Sequence, residues 1–243
     1  MNFGFLNWFR KLEAESRFYP SIAGIFLNGA FLVRSEIFGA IQKHAPQLSG
    51  DLLDYGCGSR PYEKLFLVSK YTGVDVQLSG HPNEAKRADI FFDGGRLPVE
   101  SESFDAVLAS EVFEHVFDLP EALTEIRRVL RPKGMLLVTC PFVWPLHEEP
   151  YDFARYTPYA LRAQLEAAGF EVLVQEKRGS DLEAIAQMAS SYFAEAFIPP
   201  VPILWRLFSI AYNAFFNLLG IAGRLLPRTG KLYLTNVVLA RRI

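Results

Sequence analysis

The feature that most constrains the fold of this chain is a short apolar run that ends in a glycine-rich turn. Residues 52–55 read Leu-Leu-Asp-Tyr and lead directly into Gly56-Cys-Gly58. Such a run is typical of a buried parallel strand, and the glycines let the backbone turn tightly and approach a ligand. Asp75 follows about 20 residues later, where an acidic side chain can accept hydrogen bonds from a ribose diol. The sequence therefore indicates a site for a nucleotide-containing cofactor.

Strand and helix patterns alternate from this turn onward. Short apolar runs predict strands at residues 52–55, 71–76, 88–92, 104–109, 134–140, 170–176 and 232–239. Helical spacing and cap residues predict helices at 61–68, at 119–130 and from Thr157-Pro158 to Gly169. This alternation favours an α/β fold with a doubly wound, mostly parallel sheet of seven strands.

Four segments follow from this reading. We predict an N-terminal helical cap at 1–49, a cofactor-binding core at 50–178, an apolar helical insertion at 179–230 and the last strand of the core at 231–243. Half of the 243 residues are apolar, which excludes a disordered chain. The formal net charge is −2, so no nucleic-acid partner is expected.

Charge is distributed unevenly along the chain. Residues 51–178 carry a net charge of −7, whereas 1–50 carry +2 and 179–243 carry +3. Apolar, mildly basic flanks suggest an anionic membrane surface or a lipid-like substrate, although the flanks can equally pack on the central domain. Only two cysteines occur, so a reducing cytosol is the simpler location. We expect a cytoplasmic protein that can bind peripherally at the inner face of the membrane.

Two uncharged runs were tested as membrane spans. The runs at 18–33 and 207–223 are shorter than the about 20 apolar residues that a span needs. The second carries a narrow polar stripe, which predicts a helix at an interface or a buried helix with one wet edge. That stripe consists of Arg206, Ser209, Asn213, Asn217, Gly220 and Arg224. A second short amphipathic face is predicted at Phe5, Trp8, Phe9 and Leu12.

The glycine loop also restricts the choice of cofactor. A dinucleotide fingerprint needs a third glycine where this chain has Pro61. Asp54 would repel a phosphate, but it can hold a cationic amino acid group. These residues favour a cofactor with a ribose and a positively charged tail but no phosphate. A plain strand–turn–helix corner is the structural alternative.

At this point the sequence resembles the class I S-adenosylmethionine-dependent methyltransferases, in particular the type 11 domain. Six motifs lie in register with that family: LLDYGCGSRPY at 52–62, GVDV at 73–76, DGGRLP at 93–98, SFDAV at 103–107 followed by EVFEHV at 111–116, RVLRPKG at 128–134, and AGF at 168–170. The resemblance implies a Rossmann-like sheet and S-adenosyl-L-methionine as the cofactor.

The resemblance also implies roles for single residues. The backbone around Gly56 and Gly58 would run along the amino acid part of the cofactor, and Asp54 would hold its amino group. Asp75 would bind the ribose hydroxyls. The remaining cofactor-binding residues are Asp93 and Gly94 at the adenine and Ser110 and Glu111 beside the sulfonium. Asp93 can alternatively be a turn residue, and Glu114 with His115 reads more simply as a packing pair.

The acceptor is expected at the loop after the fifth strand, residues 141–158. His147 is the first candidate for a general base, because a neutral imidazole is available near pH 7. Asp152 is the second candidate, although it can instead form a local ion pair with Arg155. Residues His147, Glu148 and Glu149 lack the spacing of a metal site, so we predict no metal.

This loop, HEEPYDFARYT at 147–157, resembles a subgroup of type 11 domains associated with bacterial surface polysaccharides. That resemblance implies methyl transfer to a hydroxyl of a lipophilic, glycan or lipid-linked acceptor. The alternatives are methylation of a quinone or another isoprenoid ring, and a catalytically silent membrane-associated adaptor that keeps the fold. The sequence does not determine the oligomeric state.

Overall fold

The computed structural model describes residues 12–80, 82–197 and 202–243. They divide into two compact units, each of which is described by itself. The α/β unit comprises residues 40–142, 146–177 and 236–243. The helical unit comprises the described residues of 1–39, 143–145 and 178–235. The described residues of the predicted cap up to 39 thus share a unit with the predicted insertion at 179–230, whereas residues 40–49 of the cap belong to the α/β unit.

A sheet of seven strands organises the α/β unit, in the order β3-β2-β1-β4-β5-β7-β6. Strands β1 to β5 pair in parallel. Hydrogen bonds from Leu234 N to Arg178 O and from Ile243 N to Gly169 O show that β7 runs antiparallel to β6. The predicted doubly wound, mostly parallel sheet is confirmed. Its strands are β1 Asp51–Tyr55, β2 Lys70–Val76, β3 Ile90–Phe92, β4 Phe104–Ser110, β5 Leu130–Pro141, β6 Phe170–Arg178 and β7 Thr235–Arg242.

Apolar spacing and caps fix the helices that flank this sheet, named α3 and α4 by their place in the chain. Helix α3, Leu119–Val129, begins where Asp118 Oδ1 accepts a hydrogen bond from Glu121 N at 3.0 Å. Helix α4, Pro158–Ala167, begins at the predicted cap, where Thr157 Oγ1 accepts from Ala160 N. Both bury apolar residues in one core with the strands, including Leu53, Val107, Leu123, Ile126, Leu136, Leu161 and Leu165.

The predicted helix at 61–68 is wrong. A single 3-10 turn, Glu63–Leu65, lies between β1 and β2. Arg60, just before it, adopts a left-handed φ of 54° while its guanidinium contacts Asp89. Eight residues are too few for a helix that is stable without tertiary support. The contact of Arg60 with Asp89 and the burial of Tyr62 and Phe66 instead hold this connection in an irregular path.

The helical unit contains helices α1 Ile22–Leu27, α5 Asp181–Ala196 and α6 Pro202–Gly223, and helix α2 Phe31–His44 begins in it. Helix α5 begins with a capping box in which Ser180 and Glu183 each accept a hydrogen bond from the other's backbone N–H. Glu183 is fully buried, and Arg224 Nε donates to its Oε1 at 2.7 Å. This ion pair connects the start of α5 to the residue that follows α6.

The predicted wet edge of the apolar helix is also wrong. In α6, Asn213, Asn217 and Gly220 are buried, not exposed. Asn217 Nδ2 donates to Ile25 O at 2.8 Å and to Asn28 O at 3.0 Å, and Asn213 Nδ2 donates to Phe26 O at 3.3 Å. The last carbonyls of a helix lack partners within it. The middle of the polar stripe therefore faces inward, where it satisfies the carbonyl end of α1, whereas Arg206 and Arg224 at its ends are exposed.

None of the helices within the described ranges is both long and apolar enough to cross a membrane. The predicted amphipathic face at Phe5, Trp8 and Phe9 lies outside the described residues. Cys57 and Cys140 are both buried, and neither forms a disulfide.

Candidate functional site

Three aspartates mark the carboxyl ends of three neighbouring strands. Asp54 and Asp75 occupy the penultimate positions of β1 and β2, and Asp93 follows β3 directly. Parallel pairing aligns Asp54 with Gly73 and Asp75 with Phe91. Ligands of doubly wound sheets bind beyond the carboxyl ends of the strands, near the point where the strand order reverses. Because β1 lies between β2 and β4, this edge is that point.

Asp54 is a buried carboxyl with a neutral partner. Its side chain is 4% exposed, and Tyr71 Oη donates a hydrogen bond to its Oδ2 at 2.6 Å. Burial raises the pKa of Asp54 to about 7, against the opposing effects of the Tyr71 hydrogen bond and the Arg60 charge. A cationic ligand group would favour the ionised form. The carboxyl therefore fits the amino group for which the resemblance assigned it.

The glycine loop leaves room for a ligand at one position and closes on protein at another. Gly56 and Gly58 adopt φ values of 70° and 47°. A Cβ on Gly56 would lie 2.6 Å from the side chain of Val112, whereas a Cβ on Gly58 would meet nothing within 4 Å. Gly56 N and Cys57 N both donate to Val74 O, so the turn is fixed against β2. The open side of Gly58 is where a ligand can approach the backbone.

Asp75 has partners that the sequence did not indicate. Gly58 N donates to its Oδ2 at 2.8 Å, which ties the carboxylate to the glycine loop. Lys86 Nζ lies 3.3 Å from its Oδ1 and donates to Val76 O at 2.6 Å. The Lys86 side chain is almost fully buried. No motif marks Lys86, because only the path of the loop after β2 brings it back to this edge.

Asp93 and Gly94 form a turn after β3. Gly95 N donates to Asp93 Oδ1 at 3.1 Å, as in the turn that the sequence left as an alternative. Gly94 has a φ of 96°, which a side chain would strain. Asp93 is exposed. This exposure leaves the carboxylate accessible to an adenine amino group, so the turn and the assigned role are compatible.

Ser110 and Glu111 lie at the end of β4. Ser110 Oγ and Thr139 Oγ1 share a hydrogen bond of 2.9 Å, and Glu111 N donates to Thr139 O at 2.9 Å. Glu111 has a φ of 55°, which is uncommon for a residue other than glycine. Backbone strain of this kind concentrates at functional sites. The two residues thus terminate β4 beside the end of β5.

The loop after β5 contains an Asp–His pair held by an arginine. Asp152 accepts hydrogen bonds from Nη1 and Nη2 of Arg155, at 2.6 and 2.8 Å, and from His147 N at 3.1 Å. Burial opposes ionisation, but these hydrogen bonds lower the pKa of Asp152 to about 2. The ion pair that the sequence allowed is present, and a carboxylate of that pKa is a poor proton acceptor near neutral pH.

His147 is placed to use this carboxylate. Its Nδ1 lies 3.2 Å from Asp152 Oδ2 and 3.5 Å from Arg155 Nη2, so the partner of this nitrogen depends on the tautomer of the ring. Burial, followed by the charge of His115, lowers the pKa of His147. Asp152 and Arg155 thus both lie against the His147 ring, and the lowered pKa favours a neutral imidazole.

Glu114 and His115 join this loop, which the packing-pair interpretation did not anticipate. His115 Nδ1 lies 2.8 Å from Tyr151 O, and its ring lies 4.7 Å from that of His147. Glu114 is fully buried, and burial followed by the charge of Glu111 raises its pKa well above the ordinary value. The only signal for this grouping in the sequence is the EVFEH run directly after β4.

One cluster of the described residues brings together side chains of metal-ligating types. Ligand atoms of Glu114, His115 and His147 all lie within 4.8 Å of one another. A different set of ligands was considered from the sequence: His147, Glu148 and Glu149. Only His147 belongs to both sets. The expectation of no metal stays a prediction.

Comparison with known proteins connects this site to a family. Residues 53–138, from β1 through most of β5, match the family model described as a methyltransferase domain. An uncharacterised chloroplastic methyltransferase of Arabidopsis thaliana is 27% identical over 155 residues, which are 56% of this chain and 42% of the relative. A probable S-adenosylmethionine-dependent methyltransferase of Mycolicibacterium smegmatis is 29% identical over 170 residues, 63% of each chain. A demethylmenaquinone methyltransferase of Mycobacterium marinum is 40% identical over 73 residues, 30% of each chain.

Solved structures support the fold. A phosphoethanolamine N-methyltransferase of Haemonchus contortus superposes with a TM-score of 0.56 at 16% identity, covering 90% of this chain and 55% of that one. The cyclase SpnF superposes with a TM-score of 0.54 at 20% identity, covering 86% of this chain and 81% of that one. Because one of these is called a cyclase, the fold alone does not fix the reaction.

The matched domain, the strand order and the six motifs agree. Residues 53–138 match a methyltransferase domain, and the motifs and strand order are similar to those of class I S-adenosylmethionine-dependent methyltransferases. It spans about half the length of the curated relatives that it matches.

Proposed function

We propose that this protein transfers the methyl group of S-adenosyl-L-methionine to a hydroxyl of a lipophilic, glycan or lipid-linked small molecule. The observation that carries the cofactor is the carboxyl edge of the sheet, where buried Asp54 and Asp75 adjoin the open side of Gly58. The observation that supports the hydroxyl is His147, whose Nδ1 lies 3.2 Å from Asp152 Oδ2 and whose pKa is lowered by burial, which favours a neutral imidazole near pH 7.

The acceptor loop has an apolar rim that suits a lipophilic molecule. Leu146, next to His147, is 70% exposed, and Phe117 is 86% exposed. The Phe117 ring packs edge-on against exposed Phe153 at 5.4 Å. Phe153 N donates to Glu114 O, which connects this aromatic pair to the residues around His115. Exposed apolar patches of this kind are typical of binding surfaces.

The site residues would each have their own role in a direct displacement at the methyl group. When bound, the cofactor supplies an electrophilic methyl group on a sulfonium. Asp54, Asp75 and the backbone at Gly58 would hold it, and Asp93 would contact the adenine. His147 would accept the proton of the acceptor hydroxyl, and Asp152 would keep its ring oriented. Alignment of this kind supplies much of the rate enhancement in transfer reactions.

A second candidate is methylation of a quinone or another isoprenoid ring. The relative from Mycobacterium marinum is called a demethylmenaquinone methyltransferase, and it shares 40% identity over 73 residues. The apolar rim at Phe117 and Phe153 suits such a ring as well. Transfer of a radiolabelled methyl group to quinols but not to hydroxylated glycolipids would favour this candidate.

The first experiment is calorimetric binding of S-adenosylhomocysteine and, in parallel, of NAD. We expect micromolar binding of S-adenosylhomocysteine that weakens at least about tenfold, or 1.4 kcal/mol, in Asp75→Ala. Asp105→Ala is the matched control. Asp105 lies near the start of β4, at the amino ends of the strands and away from the carboxyl ends where Asp54 and Asp75 lie. Thermal unfolding of each variant checks that it folds.

Three results would contradict the proposal. Binding of NAD in place of S-adenosylhomocysteine would mean that the glycine loop serves a dinucleotide. No binding by a folded protein would favour the silent adaptor. Cofactor binding without methyl transfer to any hydroxyl or ring acceptor would favour the adaptor too.

A further inference from the structure

Helix α6 is amphipathic in the reverse of the usual sense. Its buried face consists of Asn213, Asn217, Gly220 and Gly223. Its exposed face is an apolar stripe, which we define as Phe208, Ala211, Phe215, Leu218, Leu219 and Ala222. These residues recur at helical spacing and contain no polar side chain. A surface helix of a soluble domain normally turns such a stripe toward the core.

Two kinds of contact fix this orientation. The amides of Asn213 and Asn217 satisfy carbonyls at the end of α1, as described above. Gly220 and Gly223 allow close packing. A Cβ on Gly220 would lie 2.4 Å from the Leu32 side chain, and a Cβ on Gly223 would lie 2.6 Å from that of Leu182. Rotating α6 to bury the stripe would break the hydrogen bonds and place larger side chains at these close approaches. The hydrogen bonds and the close packing at the glycines therefore keep the stripe exposed.

The exposed apolar surface continues beyond the stripe. Leu225 and Leu226, directly after α6, are 89% and 55% exposed. On α5, Phe193 stacks on Phe216 at 5.6 Å and on Phe197 at 5.3 Å, and both Phe193 and Phe197 are exposed. The patch thus spans two packed helices and the turn that follows one of them.

Positive charge accompanies this patch. From residue 196 to the end of the sequence there are six basic residues and no acidic one. Arg206 lies at one end of the stripe, and Arg224, Arg228 and Lys231 lie beyond the other; all four are exposed. Arg206 pairs with Glu13 at 3.5 Å, and Arg224 pairs with Glu36 and Glu183. Arg228 and Lys231 therefore supply the basic charge that adjoins Leu225 and Leu226.

We propose that the apolar stripe of α6, with Leu225 and Leu226, is a docking surface for an anionic lipid bilayer. Apolar side chains flanked by basic ones are the features by which an interfacial helix binds anionic lipid. No helix of the described residues is suited to span the bilayer, so the helix lies in the interface. A second copy of this chain fits less well, because two-fold packing of the stripes would bring their basic ends together. The inference does not rest on the proposed methyl transfer.

Vesicle flotation tests the surface with the full chain. We expect the protein to float with phosphatidylcholine vesicles that contain about 30 mol % phosphatidylglycerol, and to stay mostly in the dense fraction with phosphatidylcholine alone. The double variant Phe215→Ser and Leu218→Ser should reduce the floating fraction about tenfold. Its matched control is Leu67→Ser with Tyr159→Ser, which removes two exposed side chains from the α/β unit.

A charge series separates lipid from other apolar partners. Arg228→Gln with Lys231→Gln should weaken flotation with the anionic vesicles, as should about 0.5 M NaCl. Lys64→Gln with Lys70→Gln, which removes two exposed lysines of the α/β unit, should leave flotation unchanged. Wild-type protein that stays in the dense fraction, or a stripe variant that floats like the wild type, would overturn the proposal. A wild-type dimer in sedimentation that the stripe variant abolishes would assign the surface to a second copy instead.

Discussion

Asp54 is the residue at which stability and ligand binding oppose each other most directly. Its pKa is about 7 in the folded protein and 3.8 in a free side chain. Between these values the folded state keeps a proton that the unfolded state has lost, so stability falls as the pH rises through this window. We expect Asp54→Asn to remove this dependence and to raise the free energy of unfolding at pH 8, by up to about 4 kcal/mol. Urea unfolding at pH 4.5 and pH 8 measures it.

The same substitution should weaken cofactor binding. An amide cannot supply the negative charge that the cationic tail of the ligand requires, so S-adenosylhomocysteine should bind Asp54→Asn at least about tenfold more weakly at pH 8. A variant that is more stable and also binds as tightly as the wild type would show that Asp54 is a structural carboxyl. Tyr71→Phe is the matched control, because it removes the hydrogen bond to Asp54 but leaves the carboxyl.

His147 is the residue on which the proposed reaction depends. With an acceptor identified by label transfer, His147→Ala should lower kcat by about 10²–10⁴, the usual contribution of a general base. The affinity for S-adenosylhomocysteine should not change, since His147 lies in the acceptor loop and not at the glycine loop. Exposed Glu149→Gln, in the same loop, is the control. An equal loss of cofactor affinity in His147→Ala would contradict a role in proton transfer.

Metal removal tests the neighbouring cluster. If His147 takes a proton, prolonged dialysis against EDTA should leave turnover unchanged. Glu114 and His115, whose ligand atoms lie within 4.8 Å of that of His147, would then support the loop without a metal. Loss of turnover on dialysis and its return with a divalent ion would show that the cluster binds a metal, contrary to the sequence-based prediction.

At the scale of elements, the position of α6 depends on side chains that look out of place in an apolar helix. Asn217→Ala should lower the free energy of unfolding by about 1–3 kcal/mol, because Ile25 O and Asn28 O would lose a donor in a buried setting. Chemical denaturation measures the change. Ser209→Ala, on the same helix and only half-buried, is the control. A stable Asn217→Ala would mean that packing at Gly220 alone orients the helix.

The same helix shows which elements the sequence could predict. Periodicity located α6 and its polar stripe, but a period does not say which face is buried, and the carbonyls that Asn217 satisfies belong to a segment almost 190 residues earlier. The strands were predicted well, because apolar runs that end in turns depend on local sequence alone. The segment at 61–68 was not, since its path depends on the distant contact between Arg60 and Asp89. Likewise, the sequence located Asp54 and Asp75 and allowed the ion pair of Asp152 with Arg155, but it indicated neither Lys86 nor the place of Glu114.

At the scale of the whole molecule, the two units carry different kinds of surface. The α/β unit presents the carboxyl edge of its sheet, with Asp54 and Asp75 buried there. The helical unit presents the apolar stripe of α6. Both surfaces include groups that are unfavourable in the isolated chain, because one buries ionisable groups and the other leaves large apolar side chains in water. Each would be stabilised by a ligand, and the two ligands differ in chemistry.

Because the two ligands differ, the response of each unit to its own ligand can be measured separately. S-adenosylhomocysteine at about 100 times its Kd should add about 2.7 kcal/mol to the stability of the unit that binds it. In hydrogen exchange, protection should therefore rise in the α/β unit, most at the peptides that contain Gly58, Asp75 and Glu111. Peptides from α6 should be unaffected by this ligand and protected by anionic vesicles instead. Protection of α6 by S-adenosylhomocysteine alone would contradict independent surfaces, and it would show that cofactor binding and the apolar stripe are energetically coupled.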